Sequence, residues 1–420
     1  MSDQDDTLLR YAKIYLKAGE INTARQYLER ALISADDYET RCETNYWLSE
    51  ISENPVEKRK YLEDVLAIDN THARARRSLA ILDGKLKPDE IINPDALPAP
   101  AMGTEKASAK RFTCSKCGGR MVFDGDGRTL TCEQCHTRQA PSGQVVEEEK
   151  DFFVAMASGA GHRKPVLTQA FHCHGCGAEF VLPPEVISAT CAYCGSAHVV
   201  NLTKELIEPD AIIPMAFNQQ GAAVRLVNWV KEQQIIPQGK VQAPRGVYLP
   251  IWTFDVIGTI PWNGLVYRNK KLVPVSGNYG LDRDDLAIPA TRKLNDMLPR
   301  LLPEFNYKEA PVYDARYLSG WPAEVYEIAM SDASLKAREE TVQYVRRDII
   351  LNNPNVQDLG YNTTNLSVTS FKLVLAPLWL TEYKLEGQRY RVLINGQTGT
   401  VHGETPKKGI MGWLNGLLGE

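Results

Sequence analysis

A chain of 420 residues has room for two to four domains, and its 43% apolar content is that of ordinary globular protein. A net charge of -4 excludes an overall attraction to nucleic acid, and no apolar run reaches the length of a transmembrane helix. The acidic opening from Met1 to Asp6 lacks the basic and apolar regions of a secretory signal, which predicts a reducing cytoplasm and disfavours disulfides.

Residues 1–88 read as all-helical. Leu28 and Leu62, Ala31 and Val65, and Asp36 and Asn70 share one separation, which is the tetratricopeptide period. Leu8, Tyr15, Ala24, Leu28 and Ala31 occupy the apolar and small positions at which paired helices pack closely, and Gly19 falls at the turn. The segment HARARRSLAILDG is expected to cap the stack, with Cys42 and Trp47 as packing residues on the first helix of the second pair. Two repeats fall short of the usual minimum of about three, so support from neighbouring structure or a partner is expected. Residues 89–109, rich in proline, alanine and acids, read as an extended linker.

Eight of the nine cysteines form four C-x2-C pairs. Cys114, Cys117, Cys132 and Cys135 (residues 110–140) and Cys173, Cys176, Cys191 and Cys194 (residues 171–203) repeat one C-x2-C-x14-C-x2-C module, each cysteine of the second at a constant offset from its counterpart. Structural Zn2+ takes four soft ligands at tetrahedral corners, and two knuckles joined by a short hairpin deliver them. Asp124-Gly125-Asp126-Gly127 supplies the turn of the first hairpin. Gly118, Gly177 and Gly195 follow the second cysteine of three pairs, where a missing Cβ eases the tight turn; His136 takes that place in the fourth and makes it less ideal. A segment of about 25 residues cannot fold on apolar burial alone, whereas structural zinc supplies about 10–16 kcal/mol of apparent binding energy in finger peptides. The metal is therefore expected to act as the core of each ribbon.

Thioredoxin-type redox chemistry would need a C-x-x-C opening a helix after a strand, and here each pair is matched by another at ribbon spacing. Iron in a rubredoxin-like site uses the same sulfur tetrahedron, so zinc or iron stays open at this level. Four thiolates saturate the ion, which predicts two structural Zn2+ ions and no catalytic one; His162, His172, His174 and His198 read as solvated bystanders. In the connecting segment, residues 141–170, Glu147 to Glu149 read as a solvated face, and a short helix is expected at Asp151 to Ala157.

Residues 207–405 change character to β-branched and aromatic strands with several helices, an α+β pattern. Helices are expected in QQGAAVRLVNWVKEQQI and SDASLKAREETVQYVRRDII, and strands in VYLPIWTFDVIGTIPWNG and FKLVLAPLWLTEYKLEGQRYRVLINGQTG. Pro250-Ile251-Trp252 and Pro377-Leu378-Trp379 are a faint internal echo, with Trp252 and Trp379 read as core or interface anchors. There is no phosphate loop, nucleophile elbow or H-E-x-x-H helix, and GQTGTVHG reads as hairpin turns, so no catalytic residue and no enzymatic activity are expected. Asp282, Asp284 and Asp285 fit no cation-loop spacing and read as a helix start. In residues 406–420, Ile410, Met411, Trp413, Leu414, Leu417 and Leu418 could form one apolar face after Lys407 and Lys408; this tail either docks on its own domain or contacts a membrane interface. The expected fold class is thus multidomain: an all-α tetratricopeptide-like N-terminus, two tandem four-cysteine zinc ribbons and a C-terminal α+β domain.

The ribbons and the segments AIIPMAF, VYLPIWTFD, LSGWPAEVYEI and LAPLWLTEYKLEGQRYRVLINGQTGTVHGETP resemble bacterial proteins with TFIIB-type zinc ribbons, often labelled primosomal-helicase-related. Some relatives are encoded with the phage-shock envelope-stress system. The resemblance covers about residues 110–405 and implies a zinc-binding, non-enzymatic role, with assembly near the membrane in the envelope-stress group. Membrane-bound relatives carry transmembrane helices where this chain has the short tail, and the helicase label has no nucleotide-binding loop behind it here.

The function expected is a cytoplasmic scaffold or adaptor, peripheral to the membrane if the tail binds there. Protein partners would dock through the helical repeats and the α+β domain. Nucleic-acid binding is the alternative. Against it, Phe171 to Leu202 contains no Lys or Arg, and a zinc tetrathiolate is itself negative. The first ribbon has Lys110, Arg111, Lys116, Arg120 and Arg128 against three acids, enough for a weak contact.

Overall fold

The computed structural model describes residues 3–405 apart from 36, 92–103, 107–108, 111, 125–128, 141–143, 147–148, 163–167, 173–178, 183–185, 191–196, 201–206, 238, 240, 269–270, 293, 295–296 and 325. Its chain divides into two compact units: Met1–Pro98 with Asp151–His162 and Ser367–Ser370, and Ala99–Lys150 with Arg163–Leu366 and Phe371–Glu420.

The first unit is helical: α1 (Asp3–Lys17), α2 (Ile21–Ser34), α3 (Tyr38–Ile51), α4 (Pro55–Ile68), α5 (Ala73–Leu82) and α6 (Phe152–Ala157). Local chemistry sets these boundaries. Gly19, at φ +81°, takes the left-handed turn between α1 and α2 without Cβ conflict. Asp37 caps α3 by accepting from the Thr40 N–H, and Asn54 caps α4 by accepting from the Val56 N–H with Pro55 at the first helical position. Both α2 and α4 span 14 residues, and their bounds are offset by the same period that separates Leu28 from Leu62. Leu28, Ala31, Leu62 and Val65 are fully buried, so the matched positions are core positions. Asp36, the remaining member of that alignment with Asn70, lies outside the described residues. Cys42 is buried beside Tyr46, Leu62 and Val65, as a packing residue, and burial pushes its thiol up to about 11. The short helix expected at Asp151 to Ala157 forms as α6, with the Asp151 carboxylate accepting from the N–H groups of Phe153 and Val154.

The second unit is rich in sheet. Its strands are β1 (Thr104–Lys106), β2 (Ala109–Lys110), β3 (Met121–Phe123), β4 (Leu130–Cys132), β5 (Arg138–Gln139), β6 (Lys150–Asp151, crossing into the first unit), β7 (Thr168–His172), β8 (Glu179–Leu182), β9 (Val186–Thr190), β10 (Ala197–Val200), β11 (Ala211–Ile212), β12 (Arg245–Arg268), β13 (Lys271–Pro289), β14 (Ala323–Glu324), β15 (Val356–Tyr361), β16 (Leu366–Leu385), β17 (Gln388–Asn395) and β18 (Val401–Gly403). Its helices are α7 (Gln219–Glu232), α8 (Leu298–Leu301) and α9 (Met330–Asn352). The stretch expected as an extended linker is thus partly strand, because β1 runs parallel to β7 and β2 pairs with β10, giving their backbone groups partners.

A large mixed sheet runs in the order β18-β17-β16-β12-β14-β9-β10-β2, with β11 also on β16 and β13 and β15 on β12. The two long central strands carry the proline-tryptophan echo, and Trp252 and Trp379 are buried in the core rather than offered to a ligand. GQTGTVHG forms the turn from β17 into β18, as expected. Asp282, Asp284 and Asp285 start no helix; they sit on β13, whose antiparallel register with β12 pairs Val256 with Arg283 and Phe254 with Leu286. A register irregularity between Phe254 and Val256, with Asp285 at φ +53°, turns that aspartate out of simple alternation.

Candidate metal centre

The four cysteines of the first module converge. Their Sγ atoms all lie within 4.8 Å of one another, with Cys114 to Cys135 and Cys117 to Cys132 at 3.5 Å each. A tetrahedral ion with sulfur at about 2.3 Å needs sulfur atoms about 3.8 Å apart, so the donor set fits a four-thiolate metal site.

Backbone turns build the two halves alike. Gly118 N–H donates to the Cys114 carbonyl at 2.8 Å, and His136 N–H donates to the Cys132 carbonyl at 3.0 Å. Cys114 N–H and Cys132 N–H close each knuckle on the carbonyls of Gly119 and Thr137. Gly118 has φ +68° and His136 φ +56°, so both knuckles use the same left-handed residue, and only His136 carries a Cβ there. Amide donors face the sulfurs: Gly119 N–H lies 3.4 Å from Cys117 Sγ and Cys135 N–H lies 3.5 Å from Cys132 Sγ. Cys114 and Cys132 are buried, whereas Cys117 and Cys135 are exposed, so the cage has one face in the fold and one towards solvent.

Four thiols this close cannot ionise independently. Thr137, through its hydroxyl and its backbone N–H, draws Cys135 down to about 6, and the N–H groups of Lys116 and Cys117 lower Cys114. The Gly119 N–H opposes, but hydrogen bonding to Cys135 and Cys132 outweighs it and pushes Cys117 up to about 12. A divalent cation at the centre of the cage is the ordinary means of ionising all four together.

The ribbon rests on protein as well as on its cysteines. Met121, Phe123 and Leu130 are buried. Ser319 Oγ donates to the Met121 carbonyl at 2.6 Å, Trp321 Nε1 donates to the Phe123 carbonyl at 2.9 Å, and Phe123 N–H donates to the Ser319 carbonyl at 2.9 Å. The rings of Phe123 and Tyr317 are 4.7 Å apart. Gly320, at φ +89°, is required at this junction: a Cβ there would stand 2.7 Å from Val122 Cγ1. The expectation that metal alone supplies the ribbon's core is therefore corrected, because three apolar side chains and a sequence-distant segment share that work.

Cys173, Cys176, Cys191 and Cys194 lie outside the described residues, as do His174 and the tail. The strands that flank them are described. In the first ribbon, Thr113 bridges Arg120 around one knuckle and Thr131 pairs with Arg138 around the other. Moved by the offset that relates Cys114 to Cys173, these become His172 with Glu179 and Thr190 with Ala197, and both pairs are present in β7–β8 and β9–β10. Among the bystander histidines, His162 bonds through Nε2 to the Met156 carbonyl at 3.0 Å.

A second polar cluster escaped sequence reasoning. Lys372, inside the apolar run FKLVLAPLWL, is buried, with Nζ 2.6 Å from Glu149 and 2.8 Å from Asp285. Glu149 is thus no solvated charge. Burial pushes its carboxyl up to about 7, with a hydrogen bond to Asp255 adding to the rise and Lys372 opposing it. Burial would depress the Lys372 ammonium, yet its bonds to Asp285 and Glu149 hold it above its usual value. Asp285 N–H donates to Asp255 at 3.0 Å, and Lys308 pairs with Asp284. The ammonium already stands where Glu149 and Asp285 would place a cation. A lone lysine in an otherwise apolar strand was the available signal.

Among known proteins, a Bacillus subtilis (strain 168) chain named "Uncharacterized protein YdjG" is 26% identical over 334 residues, spanning 73% of this chain and 94% of that one. No family model matches the chain, and no solved structure matches it. Among the described residues no helix is long and apolar enough to cross a membrane.

Proposed function

We propose that the chain is a zinc-binding, non-enzymatic scaffold that brings protein partners together, in keeping with the envelope-stress relatives it resembles. The observation that carries this reading is the four-thiol cage of Cys114, Cys117, Cys132 and Cys135, fastened to the sheet-rich unit by the Ser319–Trp321 segment. Four thiolates complete a zinc shell and leave no position for water or substrate, which is the mark of an architectural ion. Zinc is favoured over iron because no redox partner is needed for that role. The repetition of strand pairing around both sets of knuckles supports a second ion at Cys173, Cys176, Cys191 and Cys194. Metal analysis of the purified chain should give two zinc ions per chain; none, or iron in their place, would refute the assignment.

The first unit is the proposed partner site, as a tetratricopeptide-like pair of repeats closed by α5. In its support, α1, α3 and α5 share one polar and aromatic face: Lys13 and Arg74 both pair with Glu43, at 3.0 and 3.3 Å, and Arg74 lies over the Tyr46 ring. Partner capture should weaken in a K13A/R74A chain, and identical capture by both proteins would count against the role. The nucleic-acid alternative is less favoured, because Arg120 is committed towards Glu133 at 3.9 Å. Membrane contact through residues 406–420 remains part of the proposal, tested by vesicle binding of a W413S/L417S chain.

A further inference from the structure

The β12–β13 hairpin runs on past the sheet that supports it. Its register continues to Arg268 opposite Lys271, while the pairing of β12 with its third strand, β15, ends at Val266 opposite Val356. Beyond that point Tyr267 faces Leu272 across the ladder, and at the last supported position Val266 faces Val273. Alternation along a strand puts these two pairs on opposite faces, so the end of the hairpin presents apolar side chains on both sides. Tyr267 is 59% exposed, Leu272 50% and Val273 39%, and Pro274 beside them is exposed as well.

The charge of this arm is one-sided. From Val256 to Leu281 the chain has no Asp or Glu and three cations, all between Arg268 and Lys271. Apolar side chains at the end of an arm, with cations and no acids in the arm itself and Asp358 of β15 set back beside Pro274 and Val275, match the interface of an anionic bilayer: the ring and aliphatic groups enter the boundary of headgroups and acyl chains, and the cations meet lipid phosphates. A nucleic acid would use the cations but give no partner to Leu272, Val273 and Pro274.

We propose that the end of the β12–β13 hairpin, through Tyr267, Lys271, Leu272 and Val273, docks on the surface of an anionic lipid membrane. This is a contact separate from the residue 406–420 tail and does not depend on the metal centre. Docking is shallow and reversible, because one arm offers only a few apolar groups.

The test is flotation of the full chain with vesicles of phosphatidylcholine containing phosphatidylglycerol, compared with phosphatidylcholine alone. Co-flotation is expected with the anionic vesicles only, falling as salt rises. K271E, at an exposed site, should lower the bound fraction at least about fivefold, given roughly 1 kcal/mol for each cation near an anionic surface. Y267S/L272S should lower it comparably, with zinc content and melting temperature of both variants unchanged. W413S/L417S should retain the part of the binding that K271E removes. The proposal is overturned if the full chain ignores anionic vesicles, if only the tail variant loses binding, or if K271E weakens binding to DNA while leaving vesicle binding intact.

Discussion

Replacing Glu149 by glutamine should remove a fall in stability between pH 5 and pH 8. In the folded chain the Glu149 carboxyl titrates at about 7 rather than 4.5, chiefly because burial disfavours its charge. A group that holds its proton more tightly when folded stabilises fully below its unfolded value, and that contribution is lost as pH rises through the folded value. The displacement is worth about 3 kcal/mol at about 1.4 kcal/mol per pH unit. Because the Glu149 side chain keeps 20% of its exposure, solvent screening brings the expectation to about 2 kcal/mol. Glutamine keeps the shape and cannot ionise, while Lys372 retains Asp285 as its partner. Urea unfolding followed by tryptophan fluorescence suits the measurement, since six of the seven tryptophans lie beyond residue 207. The stability difference between wild type and E149Q should widen by about 2 kcal/mol from pH 5 to pH 8, in favour of E149Q. Parallel stability curves would refute the reasoning, and a gain for wild type at high pH would mean that attraction to Lys372 outweighs burial.

Three further outcomes are expected. C132S removes a buried thiol of the cage and should lower zinc content by one ion per chain, as read by metal analysis, with the second site unaffected. H136G relieves a left-handed Cβ and should stabilise by about 0.5 kcal/mol in chemical denaturation, the relief exceeding the extra freedom of the unfolded chain. G320A should cost about 2 kcal/mol or more, because the new methyl meets Val122 and the residue must keep a positive φ; a melting temperature equal to wild type would contradict the docking geometry.

Local patterns are legible where one segment sets its own structure. The repeat period locates matched helices because Leu28 and Leu62 answer to helical periodicity alone, and caps such as Asp37 and Asn54 stand beside the helices they close. Cysteine spacing finds the first four-thiol cluster for the same reason: each knuckle is a turn of a few residues, and a hairpin joins the two. What stays hidden depends on pairing between distant segments. Nothing near Glu149 announces Lys372, which arrives more than half the chain later on β16 and converts an acidic run into a buried ion pair. Asp285 departs from the helix start that its acidic neighbours suggest, because its direction comes from an irregularity opposite Asp255, a property of the pairing of β12 with β13. The linker is extended by composition alone, and its strands form on edges supplied by β7 and β10.

The junction between Met121 and Ser319 also sets an order of events at the ribosome. The carbonyl of Met121 emerges 198 residues ahead of the hydroxyl that satisfies it, and Phe123 waits as long for the Trp321 indole. At about 5–20 residues per second, that interval lasts roughly 10–40 s. Throughout it the nascent hairpin has its cysteine knuckles but not its final seat, so an ion bound during synthesis would meet the four sulfurs before the surface that later receives them has been made.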